Sequence, residues 1–455
     1  MLGWMWNLAY VLHNPRCNGA ALRALRSLSA SQWWSRSELD AHQSARLDRL
    51  LDRAKRFAPY YSRILPDAIP GGSCRERLSG LPVLAKNDIR ANGPDLLSRD
   101  PHLGRLVMSQ TGGSTGEPLK VARTLAARQE SVGALLRGMS WAGIRPGDRH
   151  ASLKAHGRIS LPGRIRYSLL HGQVFGSALS KEHLHRVVIP ALKALRPKYV
   201  TGYPTSLLAL ADCLEPGELR VPVLFSTGEM LYPHQRARLE NLLGARVFDY
   251  NGSNEVEGIA FECEQGRRHV TDEQVVVEVV DDEGNPVWEE TGRILVTDLR
   301  NDGMPFIRYE LGDRGAISRE VCPCGRNLLV LKGLEGRTQD AIRGPNGVAL
   351  SGVIFAGRFR FLKRLRAYQV VQTSATGVEL RYVPSHDDPE PEVREIAEWI
   401  QERLGKEMRV ETKRCRELPL TRSGKTRLVV GLGTTGSSGA EQETPASAAG
   451  EESTP

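Results

Sequence analysis

The stretch VPVLFSTGEMLYPHQRARLENLLGARVFDYNG, residues 221–252, predicts the fold class of this chain. It opens with a short apolar run that ends in small polar residues, and it closes with a second run of the same kind. The segment between them, YPHQRARLENLLG, has the apolar spacing of a helix. A strand, a helix and a further strand in this order are typical of α/β proteins.

The same alternation extends over residues 105–250, where RLVMSQ and PKYVTGY are further apolar runs and AARQESVGALLRGMSWAG is a further helical segment. We therefore expect an α/β fold with a large N-terminal domain of mixed sheets and helical cover. Residues 269–318 are rich in β-branched side chains and predict antiparallel hairpins, with a turn at 282–285.

The predicted domains are 1–336, with a helical lead-in over 1–57, then a small, mobile α+β domain over 337–430. Within the lead-in, SARLDRLLDRAKRFA has helical spacing, with Ser44 as its expected N-cap. Residues 431–455 hold mainly Gly, Ser, Thr, Ala, Glu and Pro, which predicts a disordered tail.

The first 20 residues are apolar and aromatic but lack the basic start of a signal peptide. We expect them to form an amphipathic docking helix, with peripheral membrane contact as the alternative. No apolar run is long enough for a membrane-spanning helix, so the expected location is the cytoplasm.

The chain has 455 residues and a formal net charge of +9, with 62 Lys and Arg against 53 Asp and Glu. Arginine is spread along the whole sequence, without a basic block or interleaved aromatic residues. This pattern gives no support for nucleic-acid binding and is compatible with a small anionic substrate such as a nucleotide.

The stretch SQTGGSTGEPLK, residues 109–120, combines glycines with hydroxyl side chains between a strand-like and a helical segment. Backbone N–H groups in such a turn form a cradle for phosphate, and a flexible linker is the competing interpretation. It is not a Walker A loop, because Gly-Lys-Ser/Thr does not follow at the required spacing.

Four of the seven cysteines stand far apart in the sequence, and a disulfide framework is not expected. The remaining three, with one histidine, supply a ligand set suited to a closed tetrahedral zinc site: Cys263, His269, Cys322 and Cys324. Such a site would be structural. The alternative is that Cys263 belongs to the core and that Cys322 and Cys324 lie in an ordinary turn.

Further motifs supply two acids and a C-terminal lysine, in DYNGSNEVEG, IRYELGDRG and LPLTRSGKTRLVV. In series with the glycine-rich loop they resemble the adenylate-forming acyl-ligase superfamily, within it the phenylacetate–CoA ligase and CapK-type (capsule-biosynthesis) branch. The resemblance extends over about residues 45–430 and also rests on RFAPYYSRIL, LPVLAKNDIR, GYPTSLLALA, STGEMLYPHQR, VTDLRNDGMPFIRYELGD and CPCGR.

The resemblance implies that Glu255 helps to place Mg²⁺, that Asp313 hydrogen-bonds the ribose, and that Lys425 contacts the carboxylate and α-phosphate during catalysis. Arg337 matches a position near the ribose or phosphate, and Asp340 matches the hinge between the domains. The residues that match the phosphate loop are Thr111, Gly112, Gly113, Ser114, Thr115 and Gly116.

Gly228 and Glu229 match the segment that lines the adenine and acyl pocket in this superfamily. Where the family has Tyr-Gly in its acidic motif, this chain has Asn251 and Gly252, with Tyr250 one place earlier. We therefore expect the aromatic contact to adenine to be displaced.

The function implied by the resemblance is ATP-dependent adenylation of a small carboxylic acid, followed by acyl transfer to CoA. The implied cofactors are ATP, Mg²⁺, structural Zn²⁺ and CoA. The alternatives are a CoA-independent acyl or aminoacyl ligase of polysaccharide or natural-product biosynthesis, and a catalytically silent homologue that binds zinc and nucleotide.

Overall fold

The computed structural model describes residues 19–69, 71–110, 119–155, 172–176, 181–335, 341–345, 349–351, 355, 362, 364–385, 388–419 and 427–432. The predicted docking helix at the N-terminus therefore falls outside the described residues, apart from its last two positions. Almost all of the predicted tail falls outside them too.

Between residue 19 and the first described strand lie five helices: α1 (Gly19–Ser31), α2 (Arg36–Phe57), α3 (Pro59–Ile64), α4 (Cys74–Ser79) and α5 (Lys86–Leu96). The second of them begins with a capping box, in which Ser35 accepts from the Glu38 N–H and the Glu38 side chain accepts from the Ser35 N–H. The prediction that Ser44 caps this helix is wrong, because Ser44 lies inside it.

A two-stranded hairpin follows, formed by β1 (Leu106–Gln110) and β2 (Lys120–Thr124), with Gln110 opposite Lys120. Helix α6 (Leu125–Trp141) starts only after the second strand, and the Thr124 side chain caps it. The glycine-rich loop therefore joins two antiparallel strands rather than a strand and a helix as predicted. The prediction fails because β2 has only five residues and lies beside a run of glycines, so its sequence shows little strand pattern. The strand is recognised only by its pairing with β1.

The next five strands form the parallel half of the large sheet: β3 (His150–Ala155), β4 (Gly172–Gly176), β5 (Tyr199–Gly202), β6 (Val223–Thr227) and β7 (Arg246–Asn251). The described helices along this half are α7 (Lys181–His183), a π-helical turn (Leu184–Val188), α8 (Ile189–Leu195), α9 (Pro204–Ala211) and α10 (Pro233–Leu243). Parallel neighbouring strands must be joined by crossover connections, and these helices provide them. Parallel strands with helical crossovers are an α/β fold, as predicted from the sequence, and the prediction is confirmed.

The other half of this sheet is antiparallel: β8 (Ala260–Glu262), β9 (Arg268–Val270), β10 (Val275–Val280), β11 (Gly292–Asp298), β12 (Tyr309–Ser318) and β13 (Val330–Glu335). The predicted hairpins are present, since β10 pairs antiparallel with β11 and β11 with β12. The strand order across the whole sheet is β10-β11-β12-β13-β9-β8-β7-β6-β5-β3-β4.

A separate α+β unit follows, made of β14 (Ala341–Arg343), β15 (Ala349–Ser351), β16 (Leu365–Ser374), β17 (Gly377–Pro384), α11 (Glu390–Leu404), β18 (Arg409–Arg414) and β19 (Val429–Val430). Its apolar residues, from Ile342 to Val429, form a core of their own. The predicted boundary at 336/337 lies outside the described residues and stays a prediction. None of the helices described is long and apolar enough to cross a membrane.

Candidate adenylation site and Cys/His cluster

Glu255 lies in a tight turn between β7 and β8, referred to here as the acidic turn (residues 252–258). Ser253 closes it, because its hydroxyl accepts the N–H groups of Glu255 (3.2 Å) and Val256 (3.0 Å). At Gly252 a Cβ atom would lie 2.9 Å from the backbone nitrogen of Gly258, so only glycine fits there. The turn thereby directs Glu255 inward, with 6% of the residue exposed.

The Glu255 carboxylate is held by β12, because the Tyr309 hydroxyl donates to its Oε1 atom at 3.1 Å. A hydroxyl donor orients a carboxylate without placing a positive charge beside it. Tyr309 is fully buried. Nothing in the sequence marks it as a partner of Glu255, and sequence reasoning missed it.

Asp313 lies on the same strand as Tyr309, within an irregular stretch of β12. Between the partners of Leu295 and Arg293, β12 carries two extra residues, and Gly312 there has φ +85°. A bulge of this kind re-aims the side chains beside it. Asp313 is half-buried, and its predicted contact with ribose stays a prediction.

The carboxyl ends of β5, β6 and β7 bring Tyr203, Glu229 and Tyr250 close to one another. The pKa of Tyr203 is raised to about 12, mainly by burial and further by the Glu229 carboxylate and by Tyr250. Gly228, which directly follows β6, has φ +78°, a conformation that glycine adopts without strain. The predicted pocket segment therefore sits at the edge of the sheet where α/β folds bind ligands.

Tyr250 packs its ring into the core of the sheet, because it stacks on Phe225 at 5.5 Å and on Phe261 at 5.4 Å between ring centroids. The side chain of Asn251 turns to the other face of β7, and its buried Oδ1 has no hydrogen-bond partner among the described residues. The role of Tyr250 in nucleotide binding stays a prediction.

The remaining predicted site residues lie outside the described residues: Thr111, Gly112, Gly113, Ser114, Thr115, Gly116, Arg337, Asp340 and Lys425. The structure does fix the two strands that flank the loop, β1 and β2, and Arg123 on β2 contacts the acidic turn. Sequence reasoning missed Arg123 as well.

The four predicted metal ligands lie together, with all of their ligand atoms within 4.8 Å of one another. Cys263 directly follows β8, His269 lies in β9, and Cys322 and Cys324 lie between β12 and β13. The Cys263 and Cys322 sulfurs are 3.8 Å apart, and the Cys324 sulfur is 3.2 Å from Nε2 of His269. All three cysteines are free thiols.

The surroundings of this Cys/His cluster suit a metal. Nδ1 of His269 lies 3.2 Å from the Leu328 carbonyl, which leaves Nε2 for the cluster. Burial lowers the pKa of His269 to about 4, so the imidazole is neutral, as a ligand must be. The Gln265 N–H points at the Cys263 sulfur at 3.4 Å. Burial also raises the pKa of Cys263 to about 12, so a thiolate there needs a cation.

Comparison with solved structures shows which fold this chain shares. The chain superimposes on a crystal structure of 2-hydroxyisobutyryl-CoA ligase in the postadenylation state, in complex with R3-HIB-AMP. The TM-score is 0.71 at 20% identity, over 88% of this chain and 91% of the other. The fold is therefore that of an adenylate-forming CoA ligase.

The matches by sequence cover less of the chain than the match by structure. Residues 342–431 match the CapK C-terminal domain family. The chain is 28% identical to a phenylacetate–coenzyme A ligase of Thermus thermophilus, over 68% of this chain and 73% of the relative. It is 26% identical to that of Pseudomonas putida over the same shares. Over most of its length the chain is thus similar to phenylacetate–CoA ligases, and its C-terminal part matches the CapK C-terminal domain.

Proposed function

We propose that this protein is an AMP-forming acid ligase, which activates a small carboxylic acid with ATP and then transfers the acyl group to CoA. The observation that carries the proposal is the buried Glu255 carboxylate, held by the Tyr309 hydroxyl at 3.1 Å on this fold. A buried carboxylate with a neutral donor is suited to bind a hard cation beside a polyphosphate.

In the first half-reaction, a carboxylate oxygen of the acid attacks the α-phosphorus of ATP. A P–O bond forms to give acyl-AMP, and the bond to the β-phosphate oxygen breaks to release pyrophosphate. In the proposed site, Glu255 would hold Mg²⁺, which supplies positive charge between the two anions. Lys425 would contact the carboxylate and α-phosphate, and residues 111–116 would hold the leaving pyrophosphate.

In the second half-reaction, the CoA thiolate attacks the acyl carbon of the acyl-AMP and releases AMP. We propose that the domain at 337–430 rotates about Asp340 between the two steps, which withdraws Lys425 after adenylation. Asp313 would hold the ribose hydroxyls, and Arg337 would lie near the ribose or phosphate. Because ATP and CoA are cytoplasmic substrates, we place the protein in the cytoplasm.

Acid-dependent exchange of labelled pyrophosphate into ATP tests adenylation, with a panel of aryl and short-chain acids. Lys425→Ala should abolish exchange while ATP still binds, and Lys413→Ala, at an exposed lysine of the same unit, should leave exchange intact. If no acid supports exchange but Mg·ATP binds, the silent nucleotide-binding alternative replaces the proposal. If exchange occurs without thioester formation on addition of CoA, the acceptor is an amine or hydroxyl.

We further propose that Cys263, His269, Cys322 and Cys324 bind a structural zinc ion. Three sulfurs and one imidazole within 4.8 Å match the ligands and size of a closed tetrahedral site. All four positions are then taken by protein, so the ion would stabilise the fold and would not activate water.

Metal analysis of the purified protein tests this site. We expect one zinc per chain, lost in Cys322→Ser and kept in Cys74→Ser, which changes a buried cysteine outside the cluster. Protein without stoichiometric metal, or Cys322→Ser with unchanged metal content, would contradict the proposal.

A further inference from the structure

Arg123 lies on β2, with its side chain buried between the hairpin and the acidic turn; only 5% of it is exposed. The strand is fixed on either side of it by Asn301, whose amide donates to the Ala122 carbonyl at 2.9 Å. The Oδ1 atom of Asn301 accepts the Thr124 N–H at 3.3 Å. The guanidinium therefore projects from a backbone that is held in place.

The guanidinium contacts both segments that flank the candidate nucleotide site. Its Nη1 donates to the hydroxyl of Ser109 at 3.1 Å, two residues before the glycine-rich loop starts. Its Nη2 donates to the carbonyl oxygen of Glu255 at 3.0 Å and to that of Asn254. The Glu257 carboxylate lies 3.7 Å from Nη1. One side chain thus holds acceptors on the hairpin and on the acidic turn.

A guanidinium suits this task because its five donors form a rigid planar fork, whereas a lysine ammonium is a point charge on a flexible stem. Three hydrogen-bond acceptors and one carboxylate, on two segments, are then kept at a fixed spacing. The Tyr309 hydroxyl holds the Glu255 carboxylate, and Arg123 holds the backbone of the same residue. The two contacts thus act on the side chain and on the backbone of Glu255.

We propose that Arg123 is a positioning residue that couples the hairpin carrying residues 111–118 to the turn carrying Glu255. This inference rests on the proposed function, in which the loop holds phosphates and Glu255 places Mg²⁺. The guanidinium sets the distance between these two elements, so its loss changes the metal dependence of adenylation more than the affinity for the acid.

The test uses the full chain with Arg123→Lys, Arg123→Met and Arg123→Ala, beside Arg137→Lys as the matched control. Arg137 is also a buried arginine, but it pairs with Glu273 and the Leu28 carbonyl, away from the acidic turn. Two measurements are made: amide hydrogen exchange of residues 252–258, and the Mg²⁺ concentration that gives half-maximal pyrophosphate exchange.

In the Arg123 variants we expect exchange in the acidic turn to accelerate about 10-fold or more, from the loss of two hydrogen bonds to its carbonyls. The half-maximal Mg²⁺ concentration should rise by a similar factor, with little change in the KM for the acid. Added guanidinium at millimolar concentration should partly restore the Mg²⁺ dependence of Arg123→Ala, which a general loss of stability would not allow.

Unchanged exchange in the acidic turn of Arg123→Met would overturn the inference, as would an equal rise in Mg²⁺ requirement in Arg137→Lys. If the wild-type protein shows no pyrophosphate exchange with any acid, the proposed function fails. The hydrogen-exchange comparison then decides by itself whether Arg123 couples the two segments.

Discussion

Replacement of Tyr309 by phenylalanine removes one atom that touches the Glu255 carboxylate and leaves the packing in place. The ring is fully buried and meets Phe306 edge-on, with centroids 5.1 Å apart, and a phenylalanine ring at this position would keep that contact. A hydrogen bond to a charged group contributes about 1.5–3 kcal/mol. That energy corresponds to a factor of about 10 to 100 in the fraction of molecules with Glu255 held in its observed orientation.

We therefore expect Tyr309→Phe to lower the rate of pyrophosphate exchange about 10- to 100-fold at limiting Mg²⁺, with partial recovery at high Mg²⁺. Recovery is expected because the cation itself orients a carboxylate once it is bound. Titration of the exchange rate against Mg²⁺ at saturating ATP and acid measures the effect.

Tyr61→Phe is the matched control. Tyr61 is also buried, and its hydroxyl donates to the Pro305 carbonyl at 3.0 Å and accepts the Ile307 N–H at 3.2 Å. It loses comparable hydrogen bonds without touching Glu255, so it should lower the melting temperature and leave the Mg²⁺ titration unchanged. The reasoning about Glu255 is refuted if Tyr309→Phe shows wild-type rates at every Mg²⁺ concentration, or if the two variants behave alike.

Two further predictions concern stability. Gly138→Ala should lower the free energy of unfolding by about 1–3 kcal/mol in urea denaturation, because the added Cβ would lie 2.3 Å from the Phe261 ring; Gly93→Ala, with no atom within 4 Å of its Cβ, should not. Glu278 pairs with Arg308 at 3.1 Å, yet burial raises the pKa of Glu278 from 4.5 to about 7. The folded state then binds more protons than the unfolded state between these pH values, so stability falls as pH rises from 4.5 to 7, by up to about 3 kcal/mol at about 1.36 kcal/mol per pH unit. Denaturation of wild type and Glu278→Gln at about pH 5 and about pH 8 measures this, and an equal pH dependence in both proteins would assign it to other groups.

The sequence is sufficient to predict those helices and strands whose residue pattern is local. The buried runs of β5, β6 and β7 alternate with helices of clear apolar periodicity, so the α/β arrangement of this region was predicted correctly. The start of α2 also has a local signal, the Ser-x-x-Glu capping box of Ser35 and Glu38, which the prediction of Ser44 as the N-cap overlooks. The β1/β2 hairpin was not readable, since it depends on pairing across the glycine-rich loop.

The Cys/His cluster and the contacts of Glu255 also differ in how far the sequence predicts them. Cysteine is a rare residue with few chemical roles, so composition and spacing are enough to group four candidate ligands spread over some 60 residues, and the structure brings their ligand atoms within 4.8 Å of one another. Tyr309 and Arg123 are common residue types, separated from Glu255 by 54 and 132 residues in the chain. Only tertiary structure brings Tyr309 to the carboxylate of Glu255 and Arg123 to its backbone carbonyl, and no local sequence pattern indicates either contact.

The Cys/His cluster lies beside short strands of the large sheet, so the proposed zinc would cross-link segments that have few strand pairings of their own. Strands β8 and β9 connect the parallel strands to the rest of the antiparallel half, and each of them has only three residues. The pairing of β13 with β9 covers only two registered residues. Few ladder hydrogen bonds therefore join these strands. A metal bound by Cys263, His269 and the β12–β13 loop would cross-link them. Chelation should therefore accelerate hydrogen exchange first at residues 260–270 and 330–335, while β5 and β6 stay protected; exchange that rises evenly across the sheet would contradict this role.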